Sequence, residues 1–257
     1  MRLQRKITVL AFLLCSSFSV FASERVVQIG TIGFVPYGIN DQGRLSGLYY
    51  DLANMIVANA GYTSNNMIRP YARIVKELKL GTLDLTIMFR NSDLDEFVDY
   101  IAPLQPQKVV AMSLKGNRFN HIKELSGKTI IYIRGAKFTE LFEQVDTVNK
   151  YQVIDYLHGI KMLIAGRADV IIGSLHPIKR AANALEQKDN IIIYFDEPLL
   201  LALRTPWVQV SKKSHSYIAG EKLKKSFLQL QTNNSLDALR VKYEVPIVIA
   251  DSFQFDN

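Results

Sequence analysis

Cysteine is nearly absent from this chain of 257 residues: Cys15 stands alone, inside an N-terminal stretch that reads as an export address. Once that stretch is removed there is no disulfide, no thiol nucleophile and no cysteine-bearing metal site. Histidine is scarce too. His121, His158, His176 and His215 have neither metal-ligand spacing nor cysteine company, so they read as solvated or helix-surface residues, and no metal or other cofactor is expected. A glycine-rich phosphate loop and a nucleophile elbow are both missing. So is a large excess of one charge. The formal net charge is +7, and loss of Arg2, Arg5 and Lys6 with the export address takes it to +4. Lysines and arginines are spread among acids, which gives nucleic acid little to hold. Beyond the address no run is long and apolar enough to span a bilayer.

The address has three parts. Arg2, Arg5 and Lys6 make a positive start, Ile7 to Leu14 an apolar stretch too short to cross a membrane comfortably, and Val20-Phe21-Ala22 a cleavage region. Removal of residues 1–22 on export is expected. Leu14 directly before Cys15 argues against a lipid anchor. With 48% apolar residues, the remainder is large enough to fold on a hydrophobic core alone.

What the chain does have is a repeated pattern. An amphipathic helix closes on glycine, and an aspartate shortly afterwards opens a buried apolar strand. In the first unit Ile74, Val75 and Leu78 share a helical face, Gly81 stops the helix, and Asp84-Leu85-Thr86-Ile87-Met88 reads as strand. In the second, Leu157, Ile160 and Ile164 share a face, Gly166 is the stop, and Asp169-Val170-Ile171-Ile172 is the strand. Glycine suits the helix end because the left-handed conformation costs it nothing. Two such units predict two similar α/β lobes, with a ligand cleft at the carboxyl ends of their strands.

Other elements read in order. Val26 to Gly30 is a first strand, with Phe34-Val35-Pro36-Tyr37-Gly38 as the loop at its end. Ser46 is a candidate cap for a helix that buries Leu48, Leu52, Met55 and Ile56. Pro103 and Pro106 mark one break, and Asp196-Glu197-Pro198 a second. Between them Lys108–Leu114, Thr129–Ile133 and Ile191–Tyr194 read as strands, Arg134 to Lys137 as a loop opening a helix that holds Leu141 and Phe142, and Pro177 as the first turn of another helix. Trp207 to Val210 is one more strand, and two helices follow, carrying Leu223, Phe227 and Leu230, then Leu236 and Leu239.

Several stretches in this order resemble the periplasmic solute-binding proteins of bacterial transporters, in the family (family 3) that includes amino-acid-binding members. They are Phe34-Val35-Pro36-Tyr37, Gly47 to Leu52, Gly81-Thr82-Leu83-Asp84, Val98 to Leu104, Leu125 to Thr129, Gly166-Arg167-Ala168-Asp169 and Leu236 to Tyr243. The resemblance implies a two-lobed α/β fold of the type II periplasmic binding protein kind, with two crossover strands and a cleft that closes on ligand by hinge motion. Lobe 1 is then expected over 23–106 and 197–257, and lobe 2 over 107–196.

Candidate ligand contacts come from both the residues and the resemblance. Phe34 sits where relatives place an aromatic ring against the ligand, whereas Tyr37, after proline, reads as structural. Tyr71-Ala72-Arg73 matches an aromatic-x-arginine pattern of one branch of the family, and an arginine facing a cleft grips a carboxylate bidentately. Arg90, with Asn91 beside it, follows the first unit's strand. Relatives carry a carboxylate-binding arginine a few residues further on, where this chain reads Asp93-Leu94-Asp95-Glu96. Ser174 stands near where amino-acid-binding relatives place an aspartate against the ligand's ammonium. Arg134 and Lys137 flank Gly135 at a helix entrance that favours an anion. Together these point to a small polar or anionic ligand without a free amine.

Three functions fit. A periplasmic receptor captures a solute for an inner-membrane ABC transporter; a binding protein of the same shape reports its ligand to a membrane sensor; or the fold serves as a dehydratase of cyclic carboxylates. The last needs a general acid in the cleft, and none is evident. The expected protein is therefore a non-enzymatic monomer whose partners are a small molecule and a permease or sensor.

Overall fold

The computed structural model describes residues 26–139, 142, 149–214 and 218–247. The expected export address, most of the helix expected around Leu141, and His215 lie outside the described residues.

Strand β1 (Val27–Ile32) is followed by a small hairpin, β2 (Ile39–Asp41) and β3 (Arg44–Ser46), then α1 (Leu48–Asn59), β4 (Ser64–Arg69), α2 (Tyr71–Leu80), β5 (Leu85–Phe89) and β6 (Val98–Pro103). The chain then builds β7 (Gln107–Met112), β8 (Thr129–Ile133), β9 (Asn149–Val153), α3 (Tyr156–Ile164), β10 (Val170–Ser174), α4 (Leu175–Asp189) and β11 (Leu199–Arg204). It returns through β12 (Pro206–Ser211), α5 (Gly220–Thr232) and α6 (Ser235–Lys242). Two five-stranded sheets result, ordered β4-β1-β5-β12-β6 and β11-β7-β10-β8-β9. Each mixes parallel and antiparallel pairs. Two lobes are thus joined by two short crossings, Pro103 to Gln107 and Arg204 to Pro206.

The repeated pattern has a structural cause. Gly81 ends α2 in the left-handed conformation, at φ 73°, and Gly166 follows α3 at φ 64°. The aspartate then locks the start of the central strand to its parallel neighbour. The Asp84 amide donates to the Gln28 carbonyl at 2.8 Å, while the Gln28 amide donates to Asp84 Oδ2 at 2.7 Å. In lobe 2 the Asp169 amide donates to the Thr129 carbonyl at 2.9 Å and the Thr129 amide to Asp169 Oδ2 at 2.7 Å. Asp84 is also buried and accepts a hydrogen bond from Ser214 Oγ at 2.6 Å, tying in the chain that returns from β12.

Four expectations need correction. The segment Leu199–Arg204 pairs antiparallel with β7, so it belongs to the second sheet and the second crossing falls after Arg204, downstream of the expected boundary at 196/197. A register shift between Leu200 and Ala202 interrupts the alternation that would have marked this strand. Ile191–Tyr194 is not a strand. Its amides turn back to the end of α4 instead, Ile191 to the Glu186 carbonyl and Ile193 to Glu186 Oε1, and Ile192 is 72% exposed. Ser46 does not cap α1, because it ends β3 and Gly47 occupies the cap at φ 126°, ψ 160°, a conformation open in practice only to glycine. A Cβ there would also lie 2.5 Å from the Tyr37 carbonyl oxygen. The strand expected over Lys108–Leu114 is observed as Gln107–Met112.

Hydrogen bonds to a charged acceptor contribute about 1.5–3 kcal/mol each, and a domain of this size loses ~2–4 °C of Tm per kcal/mol. Asp84→Ala, which removes two such bonds, is accordingly expected to lower Tm by about 6–24 °C. Asp169→Ala, whose carboxylate is more exposed and accepts from the Thr129 amide where Asp84 accepts from both an amide and a hydroxyl, is expected to cost roughly half as much. Differential scanning calorimetry of the two variants checks both values and their order.

Candidate functional site

Because the parallel strands of both sheets run toward the crossings, their carboxyl ends face one another across the gap between the lobes. Phe34 follows β1, Tyr71 opens α2 and Phe89 closes β5 in lobe 1. Ala136 and Phe138 follow β8, Tyr156 opens α3 and Ser174 closes β10 in lobe 2. These side chains enclose an inner compartment of about 20 Å³, room for roughly one water. Its walls meet across the lobes. The Phe34 and Tyr156 rings lie 5.0 Å apart at 56°, and the Tyr156 hydroxyl accepts from the Ser174 amide at 3.1 Å. Gly173 makes this possible, since a Cβ there would stand 2.3 Å from that hydroxyl.

Asn91 braces the same wall. Fully buried, it donates from Nδ2 to the Gly135 carbonyl of the other lobe at 3.2 Å, accepts from the Asp93 amide at 3.0 Å, and is a hydrogen-bond partner of the Tyr71 phenol. Gly135, at φ 77°, brings the lobes into close approach, for a Cβ on it would lie 3.3 Å from Ala72 Cα. Burial raises the pKa of the Tyr37, Tyr49 and Tyr156 phenols well above the ordinary value. Burial likewise pushes Tyr71 up to about 12, opposed in part by Asn91 and Arg204. The phenols are therefore neutral hydrogen-bonding groups at any physiological pH.

The four cations expected in the cleft are placed elsewhere. Arg73 is more than half exposed and donates from Nε to Glu77 Oε1, four residues along the same helix, at 2.7 Å. Arg90 stacks its guanidinium 4.1 Å from the Tyr100 ring centroid, with Asp95 at 3.9 Å. Arg134 is exposed, and its amide bonds to the Val153 carbonyl. Lys137 bridges the lobes by an ion pair with Asp93 at 2.8 Å, which holds the Asp93 carboxyl below the usual carboxylate range. None of these four lines the inner compartment, whereas Phe34, Tyr71 and Ser174 do. Tyr37, expected to be structural, is a wall residue as well.

Sequence reading passed over Tyr156, Phe138, Gln107 and Arg204. Arg204 ends the unrecognised strand β11 and sits half-buried, donating to the Phe138 carbonyl at 2.6 Å and to the Arg90 carbonyl at 2.7 Å. It thus stitches the second crossing to both lobes. Gln107 stands at the first crossing, where its Nε2 donates to the Tyr49 hydroxyl. Among the described residues no group of three or more His, Cys, Asp or Glu side chains is arranged to hold a metal ion.

Two α/β lobes, a double crossing and facing strand ends define a two-lobed periplasmic binding fold of type II. The family model of bacterial extracellular solute-binding proteins, family 3, matches residues 27–245, and the chain belongs to that family, which is one of binding proteins and not of enzymes. No curated protein matches the sequence. Among solved structures, an ancestral arginine-binding protein bound to arginine is 20% identical with a TM-score of 0.72, covering 86% of this chain and 99% of its own. The substrate binding protein of an amino acid ABC transporter is 18% identical at TM-score 0.70, covering 85% and 99%. A histidine kinase sensor domain similar to periplasmic binding proteins is 14% identical at TM-score 0.72, covering 88% and 99%.

The raised phenol values have a measurable sign. As pH climbs past about 10, unfolded tyrosines lose their protons, while folded Tyr71 keeps its own until about 12. The folded state then binds more protons than the unfolded one, and stability fully present below pH ~10 is lost as pH rises through ~12. Thermal melts are expected to show Tm falling across that window, with a shallower fall in Tyr71→Phe.

Proposed function

We propose that this protein captures a small polar solute between its lobes, in the periplasm after removal of residues 1–22, and presents the closed form to an inner-membrane ABC transporter. The observation that carries this reading is the inner compartment itself. Its aromatic walls come from both lobes, and at about 20 Å³ it admits a solute only when the lobes part, as hinge-closing receptors do. A closed form stabilised by ligand contacts lets a membrane partner tell loaded from empty.

The lining narrows the solute. Phe34, Phe89 and Phe138 offer flat apolar faces, while Tyr71, Tyr156 and Ser174 offer neutral hydrogen-bonding groups. Among the described residues no acid lines the compartment, and an ammonium enclosed without a carboxylate loses several kcal/mol of hydration. A neutral solute with a flat body and a polar edge therefore fits better than arginine or another α-amino acid. The anionic ligand expected from Arg73, Arg90, Arg134 and Lys137 loses its support in this compartment, because those cations are turned away from it.

A second reading has one observation in its favour: the similarity to a histidine kinase sensor domain. In that reading the closed form docks on a sensor and signals. Both readings require the same closure.

A thermal-shift screen of the purified exported protein against neutral aromatic solutes, sugars, amino acids, polyamines and organic acids tests the proposal. At a hundredfold excess over Kd a ligand adds about 2.7 kcal/mol of stability, or ~5–10 °C at this size. A flat neutral solute is expected to give such a shift, Phe34→Ala to abolish it, and Arg73→Ala and Arg90→Ala to leave it intact. A shift confined to arginine, or one lost in Arg73→Ala, contradicts the assignment.

A further inference from the structure

A second and larger cavity, of about 440 Å³, lies on the other side of the residues that close off the inner compartment. Tyr37, Tyr49, Gln107 and Ser174 border both spaces. The partition is firm: the Tyr37 and Tyr49 rings stack 4.3 Å apart at 12°, and Gln107 is hydrogen-bonded to the Tyr49 hydroxyl. The cavity falls within the range of small-molecule sites, about 300–1,000 Å³, which the inner compartment in this arrangement of the lobes does not reach.

Its walls differ in chemistry from those of the inner compartment. Leu48, Leu104 and Leu236 contribute apolar surface, while Arg240, Lys179 and Lys108 contribute positive charge, and among the described lining residues there is no acid. Arg240 is held in place by one terminal nitrogen bonded to Asp237 at 2.9 Å and is only 11% exposed. On α4, His176 and Lys179 stand three residues apart and so share a helix face. His176 Nε2 is buried with no hydrogen-bond partner among the described residues. A buried polar atom of that kind is rare in a folded protein and costs stability unless something pairs with it. Arg180, next along, donates to the Tyr243 carbonyl and to Glu244, which brings α4 and the end of α6 together at the cavity's edge.

We infer that this hinge-side cavity is a second ligand site, and that it takes an organic carboxylate with an apolar body, the acid group answering to Arg240, Lys179 and His176 and the body to the leucine walls. Lobe 1 supplies Leu48, Leu236 and Arg240, lobe 2 supplies His176 and Lys179, and the first crossing supplies Leu104. An occupant therefore touches both lobes and the segment on which they turn. By linkage, it changes the affinity of the inner compartment by the same factor by which a solute there changes its own.

Titration calorimetry and thermal shift with octanoate and 3-phenylpropionate, alongside octan-1-ol, octylamine and acetate, test the inference on the purified exported protein. The two amphipathic carboxylates are expected to bind and raise Tm, with octan-1-ol, octylamine and acetate at least tenfold weaker. Lys179→Gln, on the surface where folding is not at risk, and Arg240→Gln are each expected to weaken octanoate binding severalfold, while Phe34→Ala leaves it unchanged. Absence of binding by both carboxylates at millimolar concentration overturns the inference. So does octan-1-ol equalling octanoate, or loss of octanoate binding in Phe34→Ala but not in Lys179→Gln, which would move the ligand to the inner compartment. Since the neutral-solute screen depends on Phe34 and not on Lys179 or Arg240, the two assignments fail separately.

Discussion

Everything in this molecule follows from the way the chain enters and leaves its second lobe. It goes in on β7 and comes out on β11, adjacent antiparallel strands of one sheet, and it leaves and rejoins the first lobe on β6 and β12, again adjacent and antiparallel. Both crossings therefore lie side by side. The parallel strands β1, β5, β8 and β10 can then only point their carboxyl ends at the gap between the lobes, where loops and helix starts collect. Phe34, Tyr71, Phe89, Tyr156 and Ser174 are neighbours for that reason, although they come from five separate elements.

The contacts across the gap are unequal in kind. Lys137 and Asp93 form an ion pair in which both side chains are more than 40% exposed, so solvent and salt screen it and its worth is small. The Phe34–Tyr156 ring contact is buried and the Asn91–Gly135 bond partly so, with Arg204 tying the second crossing to carbonyls in both lobes. A few buried contacts and a screened ion pair make a closed arrangement that a bound solute can tip, which is what a receptor of this class requires. Placement of Arg204 on the crossing itself lets its bonds persist or break with the angle between lobes.

Much of the fold was legible because its signals are local. Gly81 with Asp84, and Gly166 with Asp169, sit close together in sequence and do the same job in each lobe, so the pattern could be recognised before its hydrogen bonds were known. Leu199–Arg204 was not legible, because a bulge breaks its alternation and its partner β7 is distant in sequence. Ile191–Tyr194 misled for the opposite reason: its β-branched composition suits a strand, but among the described residues no strand pairs with it, and only the bridge between Phe195 and Leu114 follows. Of the residues expected at the cleft, those whose position follows from the strand ends, Phe34, Tyr71 and Ser174, line the inner compartment, and Asn91 is bonded to Gly135 beside it. The cations were misplaced because their partners decide their direction. Glu77, four residues after Arg73, was a visible local partner, whereas the Lys137–Asp93 and Arg90–Tyr100 contacts depend on the tertiary fold.

The central claim is that the aromatic compartment opens and closes about the two crossings. The near-absence of cysteine makes this directly measurable, since pairs of cysteines can be introduced for spin labels without competition from native thiols in protein produced without residues 1–22, which hold Cys15. Ile192 in lobe 2 and Val241 in lobe 1, at 72% and 79% exposure, are suitable positions. Pulsed electron–electron resonance on the doubly labelled protein is predicted to give a broad or two-population distance distribution without solute and a single, sharpened population when a stabilising solute is added. One unchanging distance, with and without a solute that demonstrably binds, would contradict the hinge account.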